Sequence, residues 1–223
     1  MPSKFYFRSI EANDPKPTGK ASTDTDSTTG SPSDKNTVFY MLPQAGTAAT
    51  SVAGSYNTAT NPLYHLMRLF ITPRIAAGTT LSGSQTVRLA IGQTESNAQM
   101  NLYFRYFIYV RTAAGTNAKT ILSPTSDPTE EGTARTGCNH VHNTSSGDYT
   151  FTVGDRIVCE VWADTRNTRS TAYTATLYYN GATEPTEGVA STDEASFLEF
   201  VSQDIQLASP RTPACNFQFP GRL

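Results

Sequence analysis

Read at a period of two, the chain breaks into short runs whose apolar side chains occupy alternate positions, the signature of strands buried on one face. Residues 4–10 put Phe5 and Phe7 on one side and Tyr6, Arg8 and Ile10 on the other. Residues 63–72 set Leu63, His65, Met67, Leu69 and Ile71 against Tyr64, Leu66, Arg68 and Phe70, and Pro73 ends the run. Residues 85–91 turn Val87, Leu89 and Ile91 inward. The clearest alternation is in 100–112, where Leu102, Phe104, Tyr106, Ile108 and Val110 share a face. Residues 148–153 and 156–162 flank the turn dipeptide Gly154-Asp155, and Ile157, Cys159 and Val161 face one way. Residues 172–179, closed by Asn180-Gly181, and 196–201 complete the set, with shorter apolar stretches at 38–42 and 120–122. The small-residue stretch 44–61 and the polar stretch 123–137 are expected to be loops. No helix-length pattern lies between the strands, so the expected fold is all-β, an antiparallel β-sandwich.

A chain of 223 residues suits one such domain. Its core is expected over about 63–201, joined by the strand at 4–10, with a polar arm at 11–36 and a tail at 203–223. The arm contains no aliphatic residue larger than Ala, so it cannot build a core alone and gains order only against its own sheet or a neighbouring subunit. Pro210, Pro213 and Pro220 keep the tail extended. Both segments point toward assembly.

A formal net charge of −2 lacks the clustered basic residues that phosphate binding requires, which excludes nucleic acid as the main partner. No apolar run reaches membrane-spanning length, and residues 1–10 lack the apolar centre of a signal peptide, so neither a membrane nor secretion is expected. Cys138, Cys159 and Cys215 are an odd number at wide spacing and are expected to be inert thiols. The sequence has no G-x-S-x-G, H-E-x-x-H, phosphate-binding loop or dinucleotide fingerprint. We therefore assign no catalytic residue and no cofactor, and expect the chain not to be an enzyme.

Two features carry candidate chemistry. On an extended chain Cys138, His140 and His142 point to one side, a donor set suited to zinc or copper. No carboxylate or fourth ligand is signalled beside them, so no metal is assigned. Trp162, the only tryptophan, offers a ring on which a sugar can stack if it is exposed, and this is the basis of a carbohydrate-binding alternative.

The second face of the 100–112 run carries Tyr103, Arg105, Phe107, Tyr109 and Arg111. Tyr and Arg are enriched at protein interfaces because each combines large contact area with a polar handle. This face is the interface candidate, unless loops of the same chain cover it. Phe217 and Phe219 in the tail are candidate anchors on a neighbour.

The N-terminal Phe5-Tyr6-Phe7-Arg8-Ser9, the Thr-, Ala- and Gly-rich loops between aromatic strands, the stretch from Gly154 through Glu160 to Trp162, and Thr176-Leu177-Tyr178-Tyr179-Asn180-Gly181 carry a resemblance. The chain resembles the jelly-roll capsid decoration, or cement, proteins of tailed bacteriophages. That resemblance implies a jelly roll, a virion location, contacts with the major capsid protein or other virion proteins, and a homo-oligomer, expected to be a trimer. A phage tail, neck or fibre component is the alternative within the same class.

Overall fold

The structure is a computed structural model that describes residues 2–12, 37–56, 63–98, 101–166 and 173–209. Among these residues there is no α-helix. The first strands are β1 (Ser3–Glu11), β2 (Val38–Leu42), β3 (Thr50–Tyr56), β4 (Leu63–Ile71), β5 (Thr80–Leu81), β6 (Ser84–Glu95) and β7 (Leu102–Arg111). They are followed by β8 (Asn117–Ser126), β9 (Thr136–Ser145), β10 (Tyr149–Thr150), β11 (Arg156–Thr165), β12 (Tyr173–Tyr179) and β13 (Phe197–Phe200).

Four antiparallel pairs are nested in the chain: β1 with β13, β4 with β11, β6 with β9, and β7 with β8. This is one long hairpin wound around a core. The pairs align laterally because β13 also pairs β6 and β11 also pairs β7. Two four-stranded layers result, ordered β1-β13-β6-β9 and β4-β11-β7-β8. Eight strands in this order form a jelly roll, so the registers decide a topology that alternation alone left open. The strand β2 joins the layers, antiparallel to β1 and parallel to β4. The far half of β6 pairs β12 at Gly92–Glu95, and β3 extends the sheet beyond β12.

The inner faces meet in one apolar core. Phe5, Phe7, Val87, Leu89, Ile91, Leu198 and Phe200 of the first layer face Phe104, Tyr106, Ile108, Val110, Ile157, Cys159 and Val161 of the second. The inward residues expected in β6, β7 and β11 are therefore where alternation put them. In β4 the expected single face is split, because the register against β11 slips between Val161 and Trp162. Met67 and Phe70 join the inner core, while Leu66, Leu69 and Ile71 form a second cluster with Phe107, Tyr109, Val158 and Trp162. A bulge of this kind changes which side of the sheet the following residues face.

Four further expectations need correction. The core is not confined to 63–201, since Val38, Met41 and Val52 are buried as well. The supposed loop at 44–61 contains β3, which is held by backbone pairing to β12 and by Val52 in the core. The supposed loop at 123–137 is shorter, because β8 runs to Ser126 and β9 begins at Thr136. Of the run at 148–153 only Tyr149–Thr150 is strand, paired with Thr80–Leu81. The arm at 11–36 falls within the described residues only at Glu11 and Ala12, and the tail only as far as residue 209. The Gly154-Asp155 turn is present, with Gly154 at φ 93°, a conformation that favours glycine.

Candidate functional site

A group of buried polar side chains lies on the inner face of β9 and in the loop before it. Along β9 the inward positions are Cys138, His140 and His142, opposite Ile91, Leu89 and Val87 of β6. All three are buried. The loop between β8 and β9 folds back over this face. It is tied to β7 by the Asp127 amide donating to the Phe104 carbonyl at 2.9 Å and the Glu131 amide donating to the Leu102 carbonyl at 2.8 Å. Those two bonds turn the Asp127 and Glu131 side chains into the core, where they are 5% and 3% exposed.

Glu131, Cys138 and His140 thus place a carboxylate, a thiol and a ring nitrogen within 4.8 Å of one another. The Cys138 thiol donates to Glu131 Oε2 at 2.9 Å, and the Gln93 side-chain amide donates to Cys138 Sγ at 3.6 Å. His140 Nε2 stands 3.1 Å from Glu131 Oε1. From the opposite layer the Tyr106 hydroxyl bonds His140 Nδ1. Burial, with the Glu131 charge adding to it, pushes the Cys138 thiol well above its ordinary range. Burial and the same carboxylate raise Tyr106. His142 is lowered by burial, against the pull of Asp127 and with the push of His140. Beside the cluster, burial raises Glu95 to about 7, assisted by Glu130 and Glu131 and opposed by the Leu102 amide that it accepts at 3.1 Å. The sequence pointed to Cys138, His140 and His142 but missed Glu131, which lies seven positions before Cys138 in the preceding loop and is brought back only by the fold.

On the outer face of β7, Phe107, Tyr109 and Arg111 are buried, while Tyr103 and Arg105 are half-buried. Phe107 and Tyr109 belong to the second apolar cluster, together with Ala12 and Val38. The Arg105 guanidinium lies 4.3 Å from the Tyr64 ring centroid, and Arg166 lies 4.0 Å from that of Tyr103. These alternating cations and rings make the exposed part of this face amphipathic. Phe217 and Phe219 lie outside the described residues.

Trp162 corrects an expectation. It has no exposed surface, and its indole N–H donates to Glu160 Oε2 at 3.0 Å, so it offers no face to a sugar ring. The apolar pattern of β11 on both faces buries it. The Asp164 carboxylate accepts from Ser126 Oγ at 2.7 Å and from Arg166 at 3.0 Å.

An open cleft of about 790 Å³ is lined by residues of β1, β2 and the turns at 73–77 and 153–154. Ile10, Tyr40, Leu42, Ile75 and Val153 give it an apolar wall, with Arg74 and Arg156 at its margin. Ile10 and Val153 are 46% and 66% exposed.

No family model matches the chain, and no curated protein is similar to it in sequence. Among solved structures it is similar to a CocE/NonD family hydrolase from Staphylococcus aureus, in two crystal structures at 7% identity with TM-scores of 0.40 and 0.41. The similarity covers 73% and 89% of this chain, which spans about a third of those chains, 34% and 36%. It is also similar to the infectious bursal disease virus Gx strain structure, with 13% identity, a TM-score of 0.24, and coverage of 75% of this chain and 43% of that one. These likenesses transfer no reaction and no residue. The expectation that the chain is not an enzyme is withdrawn: two CocE/NonD family hydrolase structures stand among these neighbours, at TM-scores too low to give this chain an activity. That expectation rested on missing linear motifs, and a catalytic constellation is defined by geometry across strands rather than by a local pattern.

Proposed function

We propose that this chain is a virion structural protein that docks on an assembled tailed-phage capsid and stabilises it through protein–protein contacts, as a homo-oligomer seated against the major capsid protein. The observation that carries the reading is the apolar cleft beside β1, where the exposed Ile10 and Val153 line one wall together with Tyr40, Leu42 and Ile75. Contiguous exposed apolar surface marks a docking site. The jelly-roll order and the sequence resemblance support the same reading. The mechanism is linkage: a protein that binds only the assembled lattice lowers the free energy of that state. The half-buried Tyr103 and Arg105 are proposed as a second contact.

Particles lacking the protein, incubated with wild type or with an Ile10→Asp, Val153→Asp double variant, test this. Both positions are exposed, so the variant is expected to melt within a few degrees of wild type while losing roughly tenfold or more in particle occupancy. Unchanged occupancy refutes the cleft as the docking surface. Electron density on the shell supports decoration, whereas density on the particle axis moves the reading to a tail, neck or fibre component.

A further inference from the structure

The cluster at Glu131, Cys138 and His140 does not close as a set of hydrogen bonds. His140 and Glu131 are 2% and 3% exposed, yet His140 Nε2 and Glu131 Oε1 both lack a hydrogen-bond partner although they lie 3.1 Å apart. The ring N–H direction misses the oxygen. Leaving a buried nitrogen and a buried carboxylate oxygen unpaired is costly, and native cores seldom do so without an ion or water between them. The Tyr106 hydroxyl engages the other ring nitrogen, Nδ1. When Nδ1 carries the proton and donates to that hydroxyl, Nε2 presents a lone pair to a carboxylate, and two acceptors face each other. A cation resolves the conflict.

The distances fit one. Two ligands each about 2.0–2.2 Å from a common ion subtend a separation close to that between Nε2 and Oε1. The off-line geometry that spoils an N–H···O bond is what two donors converging on a shared point produce. Cys138 Sγ lies 2.9 Å from the other carboxylate oxygen and completes a third vertex. Tyr106 on Nδ1 fixes the ring, and Gln93 donates to the sulfur, the two roles that outer groups play around a bound ion.

We propose that Glu131, Cys138 and His140 form a binding site for a divalent first-row transition ion, zinc fitting best, with a fourth position left for water. One thiolate, one imidazole and one carboxylate make a borderline-soft donor set that suits zinc better than calcium or magnesium. Residues 128–130 and 132–134 of the loop above it are exposed, which gives the ion a way in. Because Glu131 comes from that loop and the other two donors from β9, the ion staples the loop onto the sheet edge. Ligation by Cys138 requires its thiol to lose a proton, which the neutral, buried thiol of the metal-free chain does not do alone.

The full chain, stripped with chelator, is titrated with Zn²⁺ and with Co²⁺. The proposal expects one tightly held ion per chain after dialysis, a near-ultraviolet thiolate-to-cobalt charge-transfer band, and a melting temperature that rises with Zn²⁺. Glu131→Gln and Cys138→Ser are each expected to weaken binding by roughly 100-fold or more while far-ultraviolet dichroism stays that of wild type. Substoichiometric uptake, cobalt bound without the thiolate band, or wild-type affinity in Glu131→Gln overturns it. Should either variant fail to fold, the wild-type cobalt spectrum and stoichiometry decide alone.

Discussion

Replacing Phe7 by Ala tests whether β1 belongs to the core rather than to an appended arm. Phe7 has no exposed surface and stacks on Phe70 of the other layer, with ring centroids 4.1 Å apart and planes 6° from parallel. Its backbone is fixed on both sides: its amide donates to the Ser196 carbonyl at 2.8 Å, and its carbonyl accepts from the Asn180 amide at 3.0 Å. The site therefore cannot collapse easily around a smaller side chain. Truncating a buried Phe costs about 3–5 kcal/mol from lost transfer energy plus the cavity left behind. For a chain of this size that corresponds to a melting temperature lower by roughly 6–20 °C. Ile10, three residues on in the same strand and 46% exposed, is the control, and Ile10→Ala should cost no more than about 1 kcal/mol. Urea unfolding followed by the fluorescence of Trp162, buried in β11, reads both variants with a probe in the opposite layer. A loss below about 1 kcal/mol in Phe7→Ala, or equal losses in the two variants, would refute the placement of the β1 inner face in the core.

Other positions give independent tests. Glu194 is fully buried and paired by two bonds to Arg135, so Arg135→Ala strands a carboxylate and should cost about 3–5 kcal/mol in urea unfolding, while Arg135→Lys should recover part of it. Glu95 is raised to about 7 from 4.5, so the folded chain binds more protons than the unfolded one between these values. Stability from this group is then complete below about pH 4.5 and is lost as pH rises through about 7. Glu95→Gln should match wild type near pH 4.5 and exceed it at pH 8 by on the order of 1–2 kcal/mol after solvent screening, and a flat difference between the two pH values would count against it. Because Trp162 is buried, a glycan array should show the same signals for wild type and Trp162→Phe, and a signal lost only in the variant would contradict its place in the core.

The sequence by itself determined the strands whose inner faces are apolar. In β1, β6, β7 and β11, Phe, Leu, Val, Ile and Tyr alternate with polar or outward residues, and burial of one face demands that alternation. It was silent where burial is achieved by other means. The inner face of β9 carries Cys138, His140, His142 and Thr144, so this edge strand of the jelly roll is polar in sequence and resembles a loop. Small residues hide β3, which is held by backbone pairing to β12 with Val52 as its anchor in the core.

Only the tertiary structure decided the strand order, the slip that divides β4 between two clusters, and the return of Glu131 to Cys138 and His140. Alternation records which face of a strand is buried, but not which strand lies beside it or what stands opposite. The donors on β9 were visible in the sequence because they share one strand at a spacing of two. Their carboxylate was not, because it depends on two backbone bonds from a loop to β7 that no periodicity encodes.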